Sequence, residues 1–361
     1  MRLHIFNPDH DLALAANLRN FTAPHAGRQL RSDLGFLPAL WAETGDYVLV
    51  DDVAVAENAY RKLKLNNRTD VQFINYDELY LCIDPKEDID IQPWGWNKAL
   101  WVKLNHYGIP EYLLPRMAQI DTIRDLSHRR LAVNLLDKLQ GMPYVTGFSC
   151  VCFSYEEVLL FLDKNKNIVV KAPCSSSGRG VRYMERETVD INALQWISNT
   201  IIKQGGVTAE IKCQKVHDFA VEFIADKNGQ VKACGLSLFT TVRGAYTGNI
   251  LMSEREKEEW LWNYIPQEDF NAIIQEIEKF LTYNIGGNYV GPLGVDMMVV
   301  ADEHHVKNDG SPSFLINPCI EINLRRTMGH VALALSQNGH LGNMHIDYDG
   351  HNYKFRMTGQ Q

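Results

Sequence analysis

Apolar residues near the start of the chain fall into short runs joined by stretches of helical spacing. LHIF (3–6), YVLVDD (47–52) and VQFIN (71–75) read as strands, and over 26–43 Leu30, Leu34, Leu37, Leu40 and Trp41 recur at helical intervals. Strands alternating with helices predict a parallel α/β sheet. PWGWNKALWVKLNHYGIP (93–110) predicts a helix, with Pro93 near its start and Gly108 and Pro110 ending it.

A second pattern begins near residue 120. LSHRRLAVNLLDKL (126–139) is amphipathic, with Leu131, Leu135, Leu136 and Leu139 on one side. Strands are predicted at 147–153, 167–172, 207–213, 218–226 and 230–240, with a helix at 188–203. Short polar turns such as Asp226–Gly229 imply antiparallel pairing. From Pro266 onward the pattern predicts a helix at 270–284, central strands at 291–300 and 314–323, and a helix at 326–337.

With 361 residues, two or three domains are expected at ~100–200 residues each. The net charge of −8 argues against a protein that coats nucleic-acid phosphates. No apolar run reaches the ~18–20 residues of a membrane span, and the apolar run at the N-terminus breaks at Pro8. Seven scattered cysteines without a C-x-x-C suit reduced thiols, so the expected compartment is the cytoplasm. Neither nucleic-acid nor membrane partners are expected.

Several motifs are missing. No Gly-Lys pair exists, which excludes a Walker A loop. Gly178 and Gly180 begin a G-x-G, but Tyr183 stands where a dinucleotide fingerprint needs its third glycine. H-E-x-x-H and G-x-S-x-G are absent. His304–His305 lie in a polar turn and read as a solvated loop, with metal binding as the other option.

Three separated pieces carry chemistry. In NIVVKAPCSSSGRGVRY (167–183) a β-run ends at Lys171 and a serine–glycine loop follows; its backbone N–H groups could cradle phosphates, or the loop could be a surface turn. Asp296 sits within an apolar strand, where a carboxylate needs an ion pair or a metal. In CIEINLRR (319–326) Glu321 and Asn323 share one strand face, as hard oxygen donors for Mg²⁺ or as the polar face of an edge strand. Arg325 and Arg326 close that strand, where an arginine can grip a phosphate or carboxylate. Asn7, Asp9 and Asp11 follow the first strand, where α/β domains place ligands, or they form a cap and turn.

In this order the pieces resemble the ATP-grasp superfamily over residues 120–340, and the first segment looks like the α/β domain that precedes such modules. The resemblance implies α/β and α+β architecture: a parallel α/β domain over 1–120, then an ATP-grasp module over 121–361. That module would comprise a nucleotide-clamping subdomain at about 145–240 and a metal-binding subdomain at about 241–345. It implies ATP and one or two Mg²⁺ as cofactors. Lys171 resembles the lysine on the α- and β-phosphates, and Arg129 stands where an earlier phosphate-contacting lysine is common. Ser175, Ser176, Ser177, Gly178, Arg179 and Gly180 resemble the loop that closes over the phosphates. Glu210, Ile211, Lys212 and Cys213 would line the adenine edge, and Asp218, with Glu222 as a competitor, would hold the ribose. Asp296, Glu321 and Asn323 match the metal trio, and Arg325 matches the arginine on the reacting phosphate. Arg243, Tyr246, Arg326 and His330 are substrate-side candidates.

The implied reaction activates a carboxylate as an acyl phosphate, which an amine attacks with release of ADP and phosphate. The other readings are a nucleotide-binding protein without ligase chemistry and a small-molecule phosphotransferase. The expected partners are a small carboxylate, an amine and, in some such modules, a second copy of the chain.

Overall fold

The computed structural model describes residues 1–63, 65, 68–82, 89–175, 180–242, 245–306 and 312–359. They form two compact units. One holds residues 1–125, 247–253 and 324–361; the other holds 126–246 and 254–323. The division is discontinuous in sequence.

In the first unit, β1 (Arg2–Ile5), β2 (Tyr47–Leu49), β3 (Gln72–Ile74) and β4 (Asp90–Pro93) form a parallel sheet in the order β3-β2-β1-β4. Alternation along each strand feeds two cores. Leu3, Ile5, Leu49 and Ile74 pack with Leu100 and Leu104; Val48, Val50 and Phe6 pack with Leu34, Leu37 and Ala56. The predicted helix at 93–110 begins instead at Lys98, because Asn97 caps it by accepting from Leu100 N at 3.0 Å. Pro93 closes the edge strand β4, where its missing N–H is tolerated. The helical spacing over 26–43 divides into a helix, His25–Asp33, and a 3-10 turn, Leu37–Leu40, with Gly35 and Pro38 breaking it.

The segments after β1 and β4 lock together. Asn7 Nδ2 donates to Gly95 O at 2.8 Å, and Gly95 N donates to Asn7 Oδ1 at 3.3 Å. A Cβ on Gly95 would come 2.6 Å from His10 Nδ1, so only glycine fits. Burial pushes the His10 imidazole down to about 4 from 6.5. Between those values the unfolded chain binds a proton that the folded chain excludes. This contribution to stability is therefore complete above pH 6.5 and falls as the pH drops to 4, by up to about 3 kcal/mol. Urea unfolding across that range should show the loss, and His10→Gln should flatten the slope relative to the parent.

The second unit opens with β5 (Ser149–Cys152), β6 (Asn167–Lys171), β7 (Val181–Glu185) and β8 (Val207–Ile211), an antiparallel sheet in the order β5-β8-β6-β7. Helices Tyr155–Asn165 and Ile191–Gln204 contribute Val158, Phe161, Leu162 and Ile197 to its core. β9 (Lys215–Ala225) and β10 (Val231–Val242) form the expected hairpin, with Asp226 Oδ1 accepting from the backbone N–H groups of Asn228 and Gln230. β11 (Ala245–Leu251) carries the chain into the first unit.

β12 (Gly291–Val306) and β13 (Pro312–Asn323) then extend the hairpin in the antiparallel order β13-β12-β9-β10. β12 is internal, as expected. β13 is the outermost strand rather than a central one; Tyr144 O and Thr146 N bond to Ile316 across its outer edge. Helix Arg130–Leu139 packs on both β13 and β5. In the first unit β14 (Gly342–Tyr348) pairs with β11 and with β15 (Tyr353–Thr358), and Leu251, Met344 and Phe355 join the core of helix Met328–Gln337. That shared core is why the C-terminal segment packs with the first unit. Among the described residues no helix is long and apolar enough to cross a membrane.

Candidate functional site

Within the second unit, a proline shapes the polar end of β13. Asp296 faces Glu321 across β12 and β13, but Met298 already faces Asn317, so Pro318–Ile320 bulge opposite Met297. Pro318 has no N–H to give the ladder, and bulges of this kind re-aim side chains. Cys319 is buried at the bulge, its N–H donating to Asn317 Oδ1 at 3.3 Å. Beyond it Asn323 Nδ2 donates to Asp296 Oδ2 at 3.1 Å. The sequence-predicted trio Asp296, Glu321 and Asn323 is therefore assembled on one sheet face.

Arg129 reaches this trio from the residue before helix Arg130–Leu139. It is buried; Nη2 lies 2.7 Å from Glu321 Oε1, and Nε donates to Ala172 O at 2.9 Å. It ties the end of β6 on the small sheet to β13 on the large one. Lys171, the last residue of β6, pairs with Glu210 of β8 at 2.5 Å, both largely buried. The charges converge on Cys319. Burial, with the carboxylates of Asp296, Glu210 and Glu321, pushes its thiol well above the usual range, and the Lys171 ammonium opposes them. Burial and Glu210 likewise push the Cys213 thiol up to about 11.

The remaining expected residues divide. Ile211 N donates to Phe148 O and Lys212 N to Asn167 O, so both N–H groups serve the sheet. Lys212 Nζ points to Glu185 at 3.7 Å. Asp218 accepts from Lys215 Nζ at 2.6 Å and from Thr241 Oγ1 at 2.8 Å. Gly180 O accepts from Ala172 N at 2.8 Å, closing the base of the serine–glycine loop, and a Cβ on Gly180 would overlap the Ser175 side chain. Ser176, Ser177, Gly178, Arg179 and Arg243 lie outside the described residues. Tyr246 is half-buried, and burial with the Glu222 carboxylate raises its hydroxyl. Glu222 is itself buried on β9, with Gly294 and Gly235 as its cross-strand neighbours.

Arg325, Arg326 and His330 belong to the first unit. Arg325 grips Asp11 with two prongs, Nε to Oδ1 at 2.9 Å and Nη2 to Oδ2 at 2.8 Å. Arg326 stacks over Trp41 at 4.5 Å. His330 completes a capping box with Thr327, Nδ1 lying 3.0 Å from Oγ1.

Asp296 and Glu321 bring two negative charges together, with Arg129 as the cation pairing with Glu321. An amide flip would turn the Asn323 oxygen to the same side. Two carboxylates and an amide oxygen form a hard donor set, and the residues fit Mg²⁺.

No family model matches the sequence, and no curated protein matches it. Solved structures do match. Phosphoribosylamine–glycine ligase from Thermotoga maritima is 16% identical, covering 98% of this chain and 82% of that one, with a TM-score of 0.51. Biotin carboxylase from Campylobacter jejuni, solved as a β-γ-ATP complex, is 12% identical, covering 97% and 77%, with a TM-score of 0.50. Both are ATP-grasp enzymes, and this chain has the ATP-grasp fold.

Proposed function

We propose that the chain is an ATP- and Mg²⁺-dependent ligase that activates a substrate carboxylate as an acyl phosphate for attack by an amine, releasing ADP and phosphate. The observation that carries this reading is Arg129, which pairs with Glu321 of the large sheet at 2.7 Å and donates to Ala172 O, beside Lys171 at the end of the small one, at 2.9 Å. Phosphoryl transfer needs little covalent chemistry from the protein; it needs charge held in place around the transferring group.

In this reading Lys171 and Arg129 supply fixed positive charge toward the phosphates, each oriented beforehand by a carboxylate. Asp296, Glu321 and Asn323 would hold the metal, which when bound neutralises phosphate charge as a Lewis acid. Asp218 is the candidate for the ribose, and Glu210 and Cys213 stand at the adenine side. Arg325 is the candidate for the reacting phosphate, with Asp11 fixing its guanidinium plane. The loop from Ser175 to Gly180 would shield the acyl phosphate from water. Tyr246, Arg326 and His330 remain substrate-side candidates.

A side chain at position 180 would displace Ser175, so Gly180→Ala should raise the KM for ATP several-fold with a nearly unchanged melting temperature. Steady-state kinetics and a thermal melt of the same preparation check this.

The decisive experiment incubates the protein with Mg·ATP, pooled small carboxylates and hydroxylamine. Carboxylate-dependent ADP with hydroxamate is the expected result. ATP binding without turnover on any acid would instead make the chain a nucleotide-binding protein. ADP formation on an alcohol, with no hydroxamate, would make it a phosphotransferase.

A further inference from the structure

Both helical layers of the first unit send a cation to the carboxyl ends of its parallel strands. Arg31 comes from helix His25–Asp33, whose Leu30 packs in one core; Lys103 comes from helix Lys98–His106, whose Leu100 and Leu104 pack in the other. They meet Asp9, which follows β1, Asp51, which follows β2, and Tyr76, which follows β3. Arg31 Nε donates to Asp51 Oδ2 at 2.9 Å. The other contacts are long: Arg31 Nη1 to Asp9 Oδ1 and Lys103 Nζ to Asp51 Oδ1 are both 3.8 Å. Such separations are ion pairs without a hydrogen bond.

Two groups of opposite sign are thus under-coordinated. Asp9 Oδ1 is buried and accepts no hydrogen bond among the described residues. The Lys103 ammonium rests on the Tyr76 ring, 3.4 Å from its centroid, and burial with the neighbouring Arg31 charge pushes it down to about 8. Leaving such groups short of partners is costly unless something else satisfies them. The Lys103 side chain is 33% exposed and that of Asp9 12%, the latter on atoms other than Oδ1, so a solute can approach both residues. The strand order reverses direction at β1, and open α/β sheets bind ligands at the carboxyl ends beside such a reversal.

Charge selects the ligand. Two cations and two carboxylates sum to zero, so a simple anion or a simple cation would meet an opposing charge. A compact molecule with both signs satisfies both groups. We propose that this cluster binds a free α-amino acid, its carboxylate on Lys103 and its ammonium on Asp9. Binding stands independently of catalysis; the role of that amino acid as the acid or the amine of the reaction rests on the ligase reading.

The test is calorimetric titration of the full chain with the L-amino acids, one at a time. For the tightest binder, the N-acetyl and carboxamide derivatives follow. At least one amino acid should bind, and each derivative should bind at least tenfold more weakly. Lys103→Met should weaken the amino acid tenfold or more while leaving the affinity for its carboxamide unchanged. Asp9→Asn should do the same with respect to the N-acetyl derivative. Lys103→Gln, which keeps a polar group beside Tyr76, serves if the methionine variant melts early. No binding of any amino acid up to millimolar concentration, or equal binding by parent and variants, overturns the site. Mg·ATP titrations of the same samples separate the two proposals: intact ATP binding with no amino acid bound sinks only this one, and the reverse result sinks only the ligase reading.

Discussion

Lys171→Met is expected to lower kcat/KM for ATP by about a thousandfold, the scale on which removing one preorganised electrostatic group acts. The side chain cannot be deleted without a second effect. Lys171 is paired with Glu210 at 2.5 Å, and both groups are largely withdrawn from water. Removing the ammonium leaves a buried carboxylate without its cation, which costs about 3–5 kcal/mol of stability. The double variant Lys171→Met/Glu210→Gln separates the two consequences. Its unfolding midpoint in urea should recover toward the parent, since no buried charge is stranded, while turnover stays lost. Activity that recovered with stability would show that the lysine acts only through the fold.

The polar residues that gather in the candidate site were legible in the sequence, but their pairings were not. Lys171, Asp296, Glu321 and Asn323 announce themselves because each interrupts or ends an apolar strand, where a polar group needs a reason. The partner of Lys171 depends on the register of β6 against β8, and the partner of Arg129 on a helix that touches both sheets. No local pattern encodes either. The bulge at Pro318 was legible in principle, because a proline inside an apolar run rarely sits in a regular central strand. The β14–β15 hairpin also left a signal. Asp349–Gly350 lies between Met344, Ile346 and Tyr348 on one side and Tyr353, Phe355 and Met357 on the other, an alternation about a turn. β7 and β11 carry weaker patterns, and pairing with neighbours decides them. The packing of the C-terminal segment with the first unit follows from the core shared by Leu251, Val331, Leu335 and Met344, a property of distance in space rather than along the chain.

Glu321→Gln should abolish measurable ADP formation, a loss of about a thousandfold or more, while leaving the fold intact. The substitution preserves shape and keeps an oxygen that can accept from Arg129 Nη2, now 2.7 Å from Glu321 Oε1. What it removes is one of the two negative charges facing each other across β12 and β13. If the pair serves to hold a divalent cation, halving its charge weakens that cation far more than it weakens a neutral hydrogen bond. If Glu321 only anchors Arg129, the amide substitutes well and turnover survives. Magnesium dependence discriminates further: a metal role requires that any residual activity of the variant need a much higher magnesium concentration, whereas an anchoring role leaves the magnesium titration where the parent has it. Turnover and magnesium response both unchanged in Glu321→Gln would remove this carboxylate from the metal site and leave it as the counter-ion of the buried Arg129.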